Sequence, residues 1–107
     1  MTARPTNTEL DALIEELTVD AYGEDEQLGG FLVGAEDALV EGERASLVGV
    51  EVEVIKLDAG PDLTSSLLAR VRREGRTYEV TLTDLIFEPN SELGRVVAAL
   101  RRWQGRK

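Results

Sequence analysis

Six carboxylates, Asp20, Glu24, Asp25, Glu26, Glu36 and Asp37, crowd the stretch between positions 20 and 37. Oxygen donors at this density suit a hard divalent cation. Calcium takes six to eight oxygens, mostly carboxylate and carbonyl, in a flexible arrangement, and a bound cation relieves the repulsion among the acids. The same residues also describe a solvated acidic face, and the residue types alone leave both readings open. Spacing sharpens the choice. On one unbroken helix Asp25 and Glu36 stand roughly 16 Å apart, too far for a single ion with bonds of about 2.4 Å. Three arrangements remain: the helix breaks, each group forms its own site, or other segments such as the loop acids Asp58 and Asp62 complete the ligand shell. An EF-hand loop does not fit. Counting from Asp20, the third, fifth and sixth positions hold Tyr22, Glu24 and Asp25, where that loop has Asp or Asn, Asp or Asn, and glycine.

Composition narrows the chemistry further. The chain has 107 residues, a length for one domain, with a formal charge of −9 and neither cysteine nor histidine. Disulfides, zinc fingers, thiol nucleophiles and imidazole bases are thereby excluded. Ser65, Ser66, Thr81 and Thr83 have no histidine to activate them, and Gly29-Gly30 lacks the lysine of a phosphate-binding loop. No catalytic set emerges, so the chain reads as a non-enzyme. Charge is unevenly divided: residues 1–65 carry a net −13 and residues 66–107 a net +4. The acidic half attracts cations and basic partners and repels nucleic acid and anionic membranes. No apolar run approaches the ~20 residues of a membrane span, and no signal peptide is apparent, which points to a cytoplasmic protein.

The elements that must position these acids follow from periodicity. Residues 1–7 read as a disordered lead. Thr6, Asn7 or Thr8 caps a helix from about Glu9, with Leu10, Leu13, Ile14 and Leu17 on one face. A second helix opens on Glu24-Asp25-Glu26 and carries Leu28, Phe31, Leu32, Ala35 and Leu39 inward. Gly29-Gly30 and Gly34 either break it locally or let another backbone approach. Ser46–Leu57 alternates as one strand with Val48, Val50, Val52 and Val54 on one face. A turn at Asp58–Asp62, a strand over Ser66–Arg73, a tight Glu74-Gly75 hairpin and a strand over Arg76–Leu82 come next. Leu85–Phe87 adds a short strand or helical turn. After Pro89-Asn90-Ser91, a last helix buries Leu93, Val96, Val97, Leu100 and Trp103, and its C-terminal end collects Arg101, Arg102, Arg106 and Lys107. Glu51 and Glu53 facing Arg70, Arg72, Arg73 and Arg76 read as cross-strand ion pairs on a solvated sheet face rather than a phosphate patch.

Three acidic stretches in this order carry a resemblance: Val19-Asp20-Ala21-Tyr22, Glu24-Asp25-Glu26 and Ala35-Glu36-Asp37-Ala38-Leu39. With Val50-Glu51-Val52-Glu53-Val54, Gly75-Arg76 and Val80–Leu85 they resemble the cyanobacterial calcium-binding (CcbP-like) protein family over roughly residues 17–87. The resemblance implies a compact α+β fold and calcium binding without EF-hands, in a cytosolic buffer or low-affinity sensor. It makes Asp20, Glu24, Asp25, Glu26, Glu36 and Asp37 the ligand candidates. The chain departs from the family pattern in the weakly aromatic Gly29–Gly34 stretch and in Val40–Ala45, where an aromatic segment with proline is expected.

The expected architecture is α+β, with two N-terminal helices, a small antiparallel SH3-like, partly open sheet of three to four strands, and one C-terminal helix. The expected partner is the calcium ion. The rival reading is a small acidic protein-interaction module with no metal role.

Overall fold

Thr6 starts the first helix. Its hydroxyl accepts from the Glu9 backbone N–H at 3.1 Å, and the Glu9 carboxylate accepts from the Thr6 N–H at 2.9 Å, a reciprocal capping box. The Thr6 backbone N–H, then the Thr6 hydroxyl and Arg95, hold the Glu9 carboxyl below the usual carboxylate range. The computed structural model describes residues 5–60 and 67–105. Helix α1 spans Asn7–Leu17, so Asn7, expected in the lead, is already helical. Helix α2 spans Glu24–Ala38. Strands β1 (Arg44–Leu47), β2 (Val50–Ala59), β3 (Leu67–Arg73) and β4 (Arg76–Thr81) follow, then a 3-10 turn (Leu82–Asp84) and helix α3 (Glu92–Gly105). The α+β expectation holds, and the sheet has four strands.

The sheet is an antiparallel meander in the order β1-β2-β3-β4. Two hairpins shape it. Glu74-Gly75 turns as expected, with positive φ at both residues (52° and 77°). Val48-Gly49 makes a second turn of the same kind (50° and 78°), which divides the strand expected over Ser46–Leu57 into β1 and β2. Alternation continues through the turn in sequence, so periodicity hides it, and Val48 lies 91% exposed rather than on the inner face. A bulge between Val54 and Lys56 then resets the alternation, so that Val52, Val54 and Leu57 all point inward. Asp58 and Ala59 extend β2 instead of starting a turn; Pro61, Asp62, Ser65 and Ser66 lie outside the described residues. Leu82 opens the 3-10 turn rather than ending β4. The chain next returns to the outer edge of β1, where Ser46 and Ile86 exchange backbone hydrogen bonds of 2.8 and 2.9 Å.

Helix α3 is the hub of the core. Leu93, Val96, Val97, Ala99, Leu100 and Trp103 are all buried on it. Trp103 meets Phe31 of α2 with ring centroids 5.2 Å apart, tilted by 43°, and its indole N–H donates to Gln27 Oε1 at 3.0 Å. Arg102 grips Asp11 of α1 through two hydrogen bonds of 2.7 and 3.3 Å, and Arg95 pairs with Glu9 at 3.3 Å. Arg101 donates to the Thr83 and Leu85 carbonyls, which fixes the 3-10 turn. On the outer sheet face Arg44 pairs with Glu51 and Arg72 with Glu53, each at 2.8 Å, as cross-strand ion pairs.

The three glycines of α2 do not break it. A Cβ on Gly30 would collide with the Leu17 carbonyl oxygen, and one on Gly34 with the Leu17 side chain, whereas Gly29 has open space around it. Leu17, the last residue of α1, sits in the notch left by Gly30 and Gly34.

Two stability tests follow from these contacts. Val48 is a β-branched residue in the left-handed region, where only a turn that needs positive φ would hold it. Val48→Asn is expected to raise stability by about 1 kcal/mol, measured by urea denaturation; an unchanged or lower midpoint would contradict the turn geometry. Gly29→Ala is expected to gain about 0.5–1 kcal/mol of helix propensity, while Gly30→Ala loses about 1–3 kcal/mol to overpacking. Equal effects at the two neighbours would rule out the notch.

Candidate metal centre

The Leu17 notch decides where the acids stand. It fixes the end of α1 against the middle of α2, so the short connector Thr18–Gly23 has to fold back to the start of α2. Thr18 begins that reversal: its hydroxyl donates to the Ile14 carbonyl at 2.7 Å, and its own carbonyl accepts from the Ala21 N–H at 3.1 Å. Asp20 lies inside this turn with φ 63°, a conformation aspartate tolerates better than most residues. Tyr22 follows, and its N–H donates to Glu26 Oε2 at 3.4 Å. Gly23 then serves as the N-cap, without a side-chain cap bond, and Glu24, Asp25 and Glu26 form the first turn of α2.

All six candidate acids are exposed. The first group, Asp20, Glu24, Asp25 and Glu26, gathers at the connector and the N-terminal turn of α2. The second, Glu36 and Asp37, stands on its C-terminal turn. The helix between them is continuous, so the long separation of Asp25 and Glu36 is real and a bent, shared site is ruled out. Asp58, offered as a completing ligand, is exposed on β2, and its Oδ1 accepts from the Ala59 N–H at 2.8 Å; Asp62 lies outside the described residues. Two surface clefts, of about 380 Å³ beside Arg44, Glu53 and Arg73 and about 440 Å³ beside Leu10, Phe87 and Arg95, include none of the six acids.

The two ends of α2 differ electrostatically. At the N-terminus the exposed backbone N–H groups carry partial positive charge and already favour Glu24, Asp25 and Glu26. At the C-terminus the partial charge is negative, and Glu36 and Asp37 add to it with no basic residue in the last turn. Carbonyl oxygens beyond that of Ala35, which is bonded to the Leu39 N–H at 3.0 Å, lack intrahelical partners there. Uncompensated negative charge and spare oxygens coincide at this end. The donors are of the kind calcium takes, but among the described residues no three acidic side chains converge to hold one metal ion. Each group is an open, partial ligand set. The sequence named the acids but not this asymmetry; the lack of Lys or Arg anywhere between Pro5 and Glu43 was its visible signal.

No protein-family model matches the chain, and no curated protein sequence matches it. Two solved structures do match in three dimensions. The crystal structure of Anabaena CcbP superimposes with a TM-score of 0.73 at 18% identity, over 97% of this chain and 95% of that one. A calcium-binding protein in its calcium-binding form superimposes with a TM-score of 0.71 at 19% identity, over 99% and 97%. Both likenesses span nearly the whole of each chain. This chain therefore has the fold seen in Anabaena CcbP.

Proposed function

We propose that the chain is a non-EF-hand calcium-binding protein of the cytoplasm, a buffer or low-affinity sensor rather than an enzyme. The observation that carries this reading is the full-length fold likeness to a structure described as calcium-binding, joined to this chain's own acids at both ends of α2. Two separate ion positions are proposed. Glu36 and Asp37 hold one, with carbonyl oxygens of the last helical turn and water filling the remaining coordination places. Asp20, Glu24, Asp25 and Glu26 are the candidate ligands of the other, with no three of them converging on one point in this arrangement. Open ligand sets with few carboxylates give weak binding, because calcium affinity rises with ligand charge and rigidity. The C-terminal position is the more responsive of the two: a cation there removes an unfavourable interaction with the helix dipole, whereas at the N-terminus it opposes a favourable one. The SH3-like reading of the sheet rests on the return of Ile86 to the outer edge of β1.

Calcium that binds only the native state stabilises by RT ln(1 + [L]/Kd), about 2.7 kcal/mol at a hundred times Kd. For a domain of this size the melting temperature then rises by roughly 10 °C. The test compares melting in calcium, magnesium and sodium at matched ionic strength. A gain specific to calcium is expected; equal gains in all three would reduce the effect to screening and sink the proposal. The double change Glu36→Gln/Asp37→Asn is expected to leave the metal-free protein equally stable or more stable, by about 0.3–1 kcal/mol, while removing most of the calcium response. Full retention of that response would move the site elsewhere.

A further inference from the structure

The two edges of the sheet are finished differently. The outer edge of β1, a strand of four residues, is occupied by Ile86, which exchanges backbone hydrogen bonds with Ser46. The outer edge of β4 pairs with no strand among the described residues. β4 is six residues long and pairs with β3 without a bulge. It has no proline and is rich in strand-favouring residues: Thr77, Tyr78, Val80 and Thr81. Sheets commonly shield such an edge, because its free N–H and C=O groups are a template for another strand.

The hairpin determines which groups are free. A two-residue turn with positive φ at both central positions closes on a hydrogen-bonded pair, here Arg73 and Arg76. The ladder alternates from there, so Tyr78 and Val80 bond to Val71 and Ala69, while Thr77 and Glu79 turn their N–H and C=O outward. Tyr78 lies across from buried Val71, on the inner side of the sheet, yet is 50% exposed. Thr77 and Glu79 lie across from Arg72 and Arg70 on the outer side.

Outward backbone groups accept any extended strand, and the side chains select among them. A second β4 laid antiparallel matches outward groups to outward groups in few registers. Centred on Glu79, the pairing sets two like charges directly opposite, which is destabilising. Centred on Thr77, it runs Glu79 against Gly75 in the turn of the other copy. Centred on Tyr78, it matches Thr77 with Glu79 on both sides of the axis, and each match exchanges both backbone hydrogen bonds. A hydroxyl then stands beside each Glu79 carboxylate, and each Arg76 faces Val80. The two Tyr78 side chains meet at the axis, with Cβ atoms about 4.5–5.5 Å apart. In this register no like charges stand directly opposite.

We propose that the outer edge of β4 is a self-association surface: two copies join through antiparallel β4 strands about a two-fold axis at Tyr78, which merges two four-stranded sheets into one. The paired edge is small beside the ~1,200–2,000 Å² of a stable interface. The dimer is therefore weak, with a dissociation constant on the order of 0.1 mM. It needs no metal and is tested apart from calcium binding.

The whole chain is studied by sedimentation equilibrium and amide hydrogen exchange at physiological ionic strength, with chelator present. A reversible monomer–dimer equilibrium is expected, and exchange at the Thr77 and Glu79 amides is expected to slow about fivefold between dilute solution and about 1 mM. Thr77→Glu is expected to weaken the dimer and Thr77→Lys to tighten it, each by about tenfold, because each change acts twice across the axis opposite Glu79. Thr77 is exposed, so in dilute solution both variants are expected to melt with the unaltered chain. The charge-matched controls Val33→Glu and Val33→Lys, on α2, are expected to leave the equilibrium in place. A chain still monomeric at about 1 mM overturns the proposal; slowing of the two amides by an added extended peptide would then assign the edge to another protein. A dimer in which both amides still exchange freely, or one that Thr77→Glu and Thr77→Lys change alike, also overturns it.

Discussion

The packing of Leu17 into the notch formed by Gly30 and Gly34 is the constraint on which the acidic surface depends. Glycine weakens a helix by its entropy, about 1 kcal/mol relative to alanine. Here two of the three glycines of α2 leave the space that the end of α1 fills, and α2 stays continuous because tertiary contact replaces lost propensity. With α2 straight, the acids divide into two groups at its opposite ends. With α1 pinned to its middle, the connector has to reverse at Asp20. The distribution of negative charge is thus a consequence of one backbone approach.

The remainder of the fold supplies a rigid base for that arrangement. α3 binds α2 through Phe31 and Trp103 and α1 through Arg102 and Asp11. Part of the positive charge of α3 and the sheet is engaged in ion pairs: Arg44 meets Glu51, Arg72 Glu53, Arg95 Glu9 and Arg102 Asp11. None of those ion pairs involves an acid at either end of α2. Arg72, Arg95 and Arg102 of the basic half thus pair with acids of residues 1–65 that lie away from α2, while Glu36 and Asp37 stay exposed, and this division makes a net charge of −9 into a directional surface.

Much of this was legible in the chain, and the exceptions have physical causes. The capping pair Thr6 and Glu9, the apolar stripe of α3 and the Glu74-Gly75 turn each carry a local signal that the fold obeys. The Val48-Gly49 turn does not, because valine seldom occupies a positive φ and the alternation of valines continues across it. The bulge at Ile55 is equally silent, since it arises from strand pairing rather than from local preference. The acids themselves were plain in sequence. Their separation depended on whether the glycines bend α2, which only the partner surface of Leu17 decides. The absence of Lys and Arg from residues 5–43 is visible in sequence, but it becomes an unfavourable placement of Glu36 and Asp37 only once the end of the helix is fixed.

The central claim is that calcium settles at the ends of α2, foremost at Glu36 and Asp37. The most direct measurement is a residue-resolved NMR titration of backbone amides with calcium, and with sodium at equal ionic strength. The account predicts saturable shifts specific to calcium, concentrated at positions 36–40, with a weaker set at 20–26. Shifts spread evenly over the acidic surface and reproduced by sodium would contradict it.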